Sequence, residues 1–291
     1  MNGQFAAPLA GAFLILAACG GGGSSGGGGG GSSSSPPDPA QSLSQLHPAD
    51  PANDSGTTEV QASVARVYAD GPGRIRMEMV EGPMEGMIVL CEDRSGASCQ
   101  VNAARGGATG SGSLVARQKG NFAYVGLFSV DHLNNGVEYA NTHAVHDAEP
   151  TMGDTDVTLP SGVARYDGEF VAGAGVGESS GMARGTATIL ANFDTGAISG
   201  DMAGALDHGE GPAVRVVFNG LELDRRARTF ASTSDTRIRF QDMRATGDIE
   251  GGFYGPNAQE AAGAFSFGNS AGGMTGVFLG CKDGIACIRA E

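Results

Sequence analysis

Residues 251 to 280 read GGFYGPNAQEAAGAFSFGNSAGGMTGVFLG, and their order of strand, break, strand, glycine turn and strand decides the fold. Phe253 and Tyr254 close an extended run. Gly255-Pro256 stops it, because proline fixes φ and donates no ladder hydrogen bond. Asn257 stands where it can cap a one-turn helix, with Glu260 three residues on reaching back, the spacing of a capping box. The chain then re-enters a strand at Ala264 to Phe267, where Phe265 and Phe267 share one face.

Upstream the same period of two recurs. Ala164, Tyr166, Gly168 and Phe170 fall on one face, opposite Arg165, Asp167 and Glu169. Ala187, Ile189, Ala191 and Phe193 do the same, followed by a compact turn at Asp194-Thr195-Gly196 and a return strand from Ile198. Val214, Val216 and Phe218 face in, with Arg215 and Asn219 out. Further runs at 237–241, 247–254, 263–268 and 274–280 bring the count to about eight strands, enough for a small closed barrel filled by its own side chains. Closure leaves no free edge to aggregate. Fifty glycines, 12 prolines and no tryptophan suit twisted, tightly turned β-structure better than helices.

Two segments carry a family resemblance. The order G-x-F-Y-G-P-N-A-x-E-x-x-G-x-F from Gly251 to Phe265, with Gly276-Val277-Phe278 after it, resembles the closing segment of the β-barrel domain of transferrin-binding protein B. Ser161 to Gly168, SGVARYDG, and Ala187 to Gly200, ATILANFDTGAISG, are similar to that family's first barrel hairpins. The family comprises bacterial surface lipoproteins, including relatives such as factor H-binding protein. The resemblance implies an all-β protein, with a C-terminal barrel of about eight antiparallel strands over 154–291 and a smaller β-rich handle over 59–153. It also implies non-enzymatic capture of a protein or iron- or haem-bearing ligand by loops at one barrel end and on the handle. An outer-membrane receptor is then the implied recipient of the cargo. The best-known members carry two handle-plus-barrel lobes; this chain is long enough for one.

The amino-terminal end agrees. FAAPLAGAFLILAA, residues 5 to 18, is too short an apolar run to span a bilayer. It leads through Leu16-Ala17-Ala18 to Cys19, the small-residue end of a secretory signal followed at once by cysteine. Residues 1–18 therefore read as a lipoprotein signal peptide, and Cys19 as the lipidated residue that anchors the chain to a membrane. The first four residues lack the usual Lys or Arg. Residues 19–58 read as a tether: Gly20 to Pro39 is Gly, Ser and Pro with one Asp and no core-forming side chain, and some 20 such residues reach about 25 Å as a coil. The expected location is the outer membrane, lipid-anchored and facing the cell surface.

A formal net charge of −14 makes nucleic acid and anionic membrane surfaces poor partners. With Cys19 assigned to lipid, four cysteines remain, in the similar contexts GMIVLCEDRSGASC and GVFLGCKDGIAC. In an exported chain they read as two local disulfides, Cys91 with Cys99 and Cys281 with Cys287, out of three connectivities open to four cysteines. Neither spacing is the C-x₂₋₄-C of a zinc site.

Side chains able to do chemistry are sparse. Gly268-Asn269-Ser270-Ala271-Gly272 has the spacing of a nucleophile elbow, but that motif needs a strand-to-helix turn over a parallel sheet, and here two strands flank it. Tyr139, His143, His146, Asp147 and Glu149 gather metal- and haem-ligating types. Three residues apart on a strand, His143 and His146 point to opposite faces, which favours solvated residues near a strand end over a haem-ligating pair. Asp154-Thr155-Asp156 lacks the rest of a calcium loop and reads as a turn before Pro160. Arg225, Arg226 and Arg228 form the basic cluster of an acidic sequence, either a solvated hairpin loop or a contact for an acidic partner. The candidate ligand-binding residues are thus Arg225, Arg226, Arg228, His143 and His146. No catalytic residue, metal or obligatory cofactor is expected, haem being the one cofactor the histidines bring into view.

Overall fold

The computed structural model describes residues 41–42, 64–81, 86–103, 109–134, 137–148, 157–206 and 211–283, and among these every element is a strand. The signal segment, Cys19, the rest of the tether, Asp154-Thr155-Asp156 and Cys287 lie outside them.

The first eight strands form one antiparallel meander: β1 (Gln41–Ser42), β2 (Val64–Ala69), β3 (Arg74–Glu81), β4 (Met87–Glu92), β5 (Ala97–Ala103), β6 (Thr109–Lys119), β7 (Ala123–Asn134) and β8 (Val137–Ala148). Every second residue turns inward, so Val67, Ile75, Met77, Val89, Val101, Leu114, Tyr124 and Phe128 make one core. The sheet curls until β2 approaches β8, where the Asp147 carboxylate accepts the Val67 N–H at 2.8 Å. Cys91 and Cys99 are direct cross-strand partners of the β4–β5 hairpin and are disulfide-bonded, as the local reading expects.

The glycines at 106, 107, 110 and 112 taken alone suggest a loop, but the chain is extended from Thr109 on: Gly110 and Gly112 sit inside β6, opposite His132 and Val130. Antiparallel pairing absorbs such glycines when the partner strand supplies the bulk. Asn-Gly at 135–136 is a strong hairpin signal in the sequence; Asn134 pairs with Val137 on its flanks, and the two residues themselves lie outside the described set.

The barrel runs through β9 (Val163–Val176), β10 (Ser179–Asn192), β11 (Ala197–Leu206), β12 (Ala213–Asp224), β13 (Thr229–Ala231), β14 (Arg237–Phe240), β15 (Met243–Tyr254), β16 (Glu260–Asn269) and β17 (Gly272–Lys282). β17 pairs with β9 and closes the sheet. β13 and β14 both lie between β12 and β15, so together they occupy one position and the barrel has eight staves.

The inward faces match the sequence reading: Ala164, Tyr166, Phe170, Ala187, Ile189, Ala191, Phe193, Val214, Val216 and Phe218 are all buried. Aromatic rings dominate this interior. Phe253 packs against Tyr166, Phe193 and Phe230 at centroid distances of 5.4, 5.0 and 5.2 Å. Phe265 stacks on Phe267 at 5.3 Å. Such offset or tilted contacts add to the transfer free energy of each ring.

Room for the rings comes from glycine placed directly across the ladder. Gly200 faces Phe218, Gly251 faces Phe230, and Gly263 faces Phe278. A methyl group at any of the three would come within 2.5 Å of its partner's ring. The glycine content that signals β-structure in the sequence is here part of how an eight-stave barrel holds so many aromatics.

Candidate functional site

β16 departs from alternation: every residue from Glu260 to Phe267 is buried. Its inner face belongs to the barrel core, and its outer face, with that of β17, is covered by β7 and β8. Ala262, Ala264, Val277, Leu279 and Val171 on the barrel meet Ala116, Ala123, Val125, Leu127 and Ala144 on the handle. Small outward side chains let the two sheets approach closely. Four polar residues are buried among the described ones: His146 and Glu260 at this junction, and Ser266 and Thr275, which pair across β16 and β17.

Glu260 is its fixed point. Its side chain is fully buried, and the carboxylate accepts the backbone N–H of Asn121 (2.7 Å), Phe122 (2.9 Å) and Ala123 (2.8 Å) in the β6–β7 turn. Consecutive N–H groups aimed at one point form a concavity for an anion and offset the desolvation of the charge. Gly120 completes the cradle, since any Cβ there would collide with the Glu260 carboxylate. The barrel answers in kind: Gly255 has φ +75°, and a Cβ there would enter the Phe122 ring.

The helical turn and capping box read over 257–260 are therefore corrected. Asn257 and Ala258 take left-handed φ of 59° and 51°, and Glu260 opens β16 with its carboxylate in the handle. The Tyr166 hydroxyl donates to the Ala258 carbonyl at 2.8 Å, fixing the turn from inside the barrel. Burial raises the Tyr166 phenol well above its ordinary pKa.

His146 is the second buried polar contact. Its Nδ1 lies 2.8 Å from the Tyr254 hydroxyl, and its exposure is 2%. Burial pushes its pKa down to about 3, so the imidazole is neutral at ordinary pH. The reading of His146 as a solvated strand-end residue is corrected by this position. β8 pairs His146 with Val125 and His143 with Phe128. The side chains of His143 and Tyr139 lie outside the described set. No cluster of three His, Cys, Asp or Glu side chains suited to a metal occurs among the described residues.

Arg225, Arg226 and Arg228 occupy the turn from β12 to β13. The Asp224 carboxylate accepts the N–H groups of Arg226 and Ala227 at 2.8 and 2.9 Å, which builds the turn. Arg225 and Arg226 are exposed, while Arg228, at φ +62°, sends Nη1 to the Val157 carbonyl at 3.5 Å. Backbone bonds from Leu223 to Gly196 and from Phe253 to Arg228 place this turn beside turn 193–196, at the barrel end that carries Gly255 to Glu260. The structure thus puts the arginines at the latched end of the barrel and His146 inside the junction, without bringing the two together.

Glu260 was within reach of sequence reasoning. β16 and β17 read as small or apolar on both faces, the mark of a doubly covered strand, and a carboxylate heading such a strand must find donors. Cys281 is also disulfide-bonded; its predicted partner Cys287 lies outside the described residues.

The family model described as the C-lobe and N-lobe beta barrels of Tf-binding protein B matches residues 118–282, from the end of β6 through β17 and more than half of the chain. Among solved structures, a transferrin-binding protein B double mutant from Haemophilus parasuis is similar at 10% identity and a TM-score of 0.36, over 84% of this chain and 75% of that one. A transferrin-binding protein B mutant from Actinobacillus pleuropneumoniae is similar at 12% and 0.37, over 85% and 100%. The N-lobe of lactoferrin-binding protein B from Moraxella bovis is similar at 14% and 0.37, over 84% and 99%. No curated protein sequence matches the chain.

Proposed function

The chain belongs to the family of C-lobe and N-lobe β-barrels of Tf-binding protein B, and from that premise we propose that it is a non-enzymatic binding module held on the outer surface of the cell by lipidated Cys19. Its ligand is an iron-carrying protein of the transferrin and lactoferrin class, the partners for which the similar solved proteins are named. The observation that carries this reading is the Glu260 latch, which joins handle and barrel into one lobe and gathers turns 193–196, 225–228 and 255–259 at one end. A barrel interior packed with aromatic rings argues for a ligand bound outside, on such turns. Arg225 and Arg226 are exposed cations there, beside the exposed carboxylates of Asp194 and Asp224, and suit acidic groups on a protein partner.

Two measurements test the proposal. Intact cells are treated with a non-permeant protease; the lipoprotein should disappear while a periplasmic marker survives. The full chain, immobilised, is then exposed to iron-loaded transferrin and lactoferrin from several hosts. Saturable binding weakened by Arg225→Glu/Arg226→Glu is the expected result. Protection from the protease, together with no binding to either protein class, would overturn it.

A further inference from the structure

At the opposite end of the barrel, folding assembles a basic wall from arginines scattered along the sequence. Arg237 and Arg239 alternate with buried Ile238 and Phe240 on β14, so both face outward. Arg244 on β15 sits directly across the ladder from Arg239. Arg215 on β12 is two residues from Val217, which pairs with Arg239 on its other side. All four are exposed.

Leaving aside the 222–228 turn at the other end, residues 213–221 and 229–246 hold four arginines, Arg215, Arg237, Arg239 and Arg244, against two carboxylates, Asp235 and Asp242. That is a net +2 in a chain of −14, leaving −16 for the remainder. Local neutralisation is slight. Arg215 approaches the Asp242 carboxylate at 3.9 Å, with both side chains mostly exposed, and Asp201 lies beside Val217 on β11. Arg239 donates to the Asp242 carbonyl at 2.9 Å. Arg237 and Arg244 have no carboxylate partner among the described residues.

Like charges directly opposite on neighbouring strands are unfavourable for the sheet. The Arg239–Arg244 pair therefore stands against both fold stability and the acidic character of the chain. Met243, at 42% exposure, pairs with buried Phe240 and lies on the face of β15 opposite Arg244, so among the described residues no exposed large apolar side chain shares the arginines' face. A protein partner would need an aromatic or aliphatic anchor to build a dry interface core. Guanidinium groups spaced by about 5 Å across strands and about 7 Å along them instead suit a repeating anion.

We propose that the β12–β14–β15 wall binds a linear anionic polysaccharide bearing sulfate or carboxylate on successive sugars, each anion taken by the planar fork of one or two arginines. This surface is separate from the turn carrying Arg225 and Arg226, and its occupancy does not depend on the protein ligand.

The test applies the full chain to dextran-sulfate resin at low ionic strength. Despite its net negative charge it should be retained and released by salt. Arg237→Ala/Arg239→Ala/Arg244→Ala should lower affinity for soluble dextran sulfate by about tenfold or more. Arg184→Ala, at an exposed arginine of β10, should bind dextran sulfate as the unsubstituted chain does. Thermal melting gives an independent reading: dextran sulfate should raise Tm of the unsubstituted chain and leave the triple variant unmoved. Flow-through of the unsubstituted chain, or equal retention of the triple variant, would overturn the proposal. So would binding to phosphatidylglycerol vesicles with none to dextran sulfate, which would assign the wall to a membrane.

Discussion

Glu260 holds a buried negative charge with backbone N–H groups rather than with a cation. Removing the carboxylate strands three donors at once, each costing about 1–3 kcal/mol when buried without a partner. Glu260→Ala should therefore lose about 3–5 kcal/mol in urea unfolding. Glu260→Gln should also lose stability, because one carboxylate oxygen becomes an amide NH2, a donor facing N–H donors. A loss under about 1 kcal/mol for Glu260→Ala would remove the latch from the account. His146 sets a pH dependence whose sign follows from burial. Its folded pKa, about 3, lies below its ordinary value of 6.5, so below that ordinary value the unfolded chain takes up the proton first. Stability is full above pH 6.5 and declines as pH falls toward 3, by up to about 1.4 kcal/mol per pH unit from this group. His146→Phe should lose about 2–3 kcal/mol less than the unsubstituted chain between pH 7 and pH 4.5 by urea midpoints. Identical slopes in the two proteins would contradict a neutral, buried imidazole.

Among elements, the staves were legible wherever one face is wet. Period-two alternation marks β9, β10 and β12 in the sequence because Arg165, Asp167 and Arg215 alternate with Tyr166, Phe170 and Val216. β6 was obscured by its glycines, whose partners across the ladder no local pattern reveals. The doubly covered β16 and β17 read clearly as strands, yet their cover did not, since what lies over an outer face is a long-range fact. The same holds for the glycine–phenylalanine pairs: Gly263 and Phe278 are 15 residues apart, and only register makes them a unit. Gly263→Ala should cost about 1–3 kcal/mol through overpacking. Phe278→Leu in the same chain should recover part of that loss, giving a coupling of about 0.5–2 kcal/mol in a double-mutant cycle. Strict additivity would show that backbone crowding alone, and not the ring, excludes the methyl group.

For the whole molecule, the junction decides whether handle and barrel unfold together. Each has its own core, around Tyr124 and Phe128 in one and Phe253 and Phe265 in the other. Between them lies a third apolar cluster with the buried polar contacts of Glu260 and His146. Independent cores joined by a dry, specific junction behave as one cooperative unit only while the junction's free energy exceeds what either part gains by opening alone. The handle is the weaker partner: its sheet does not close, and the eight-residue separation of Cys91 and Cys99 gives its disulfide a short loop and a modest entropic effect. The unsubstituted chain should therefore melt in a single transition, with near-ultraviolet signals of handle and barrel tyrosines coincident. Glu260→Ala should split that transition, with the handle melting first and the barrel's own midpoint little changed. Cys91→Ala/Cys99→Ala, which removes the handle's disulfide only, should widen the gap by lowering the handle transition alone. Two separate transitions already present in the unsubstituted chain would mean that the handle merely rests on the barrel, and that the order of the turns at the latched end is set by the barrel without its help.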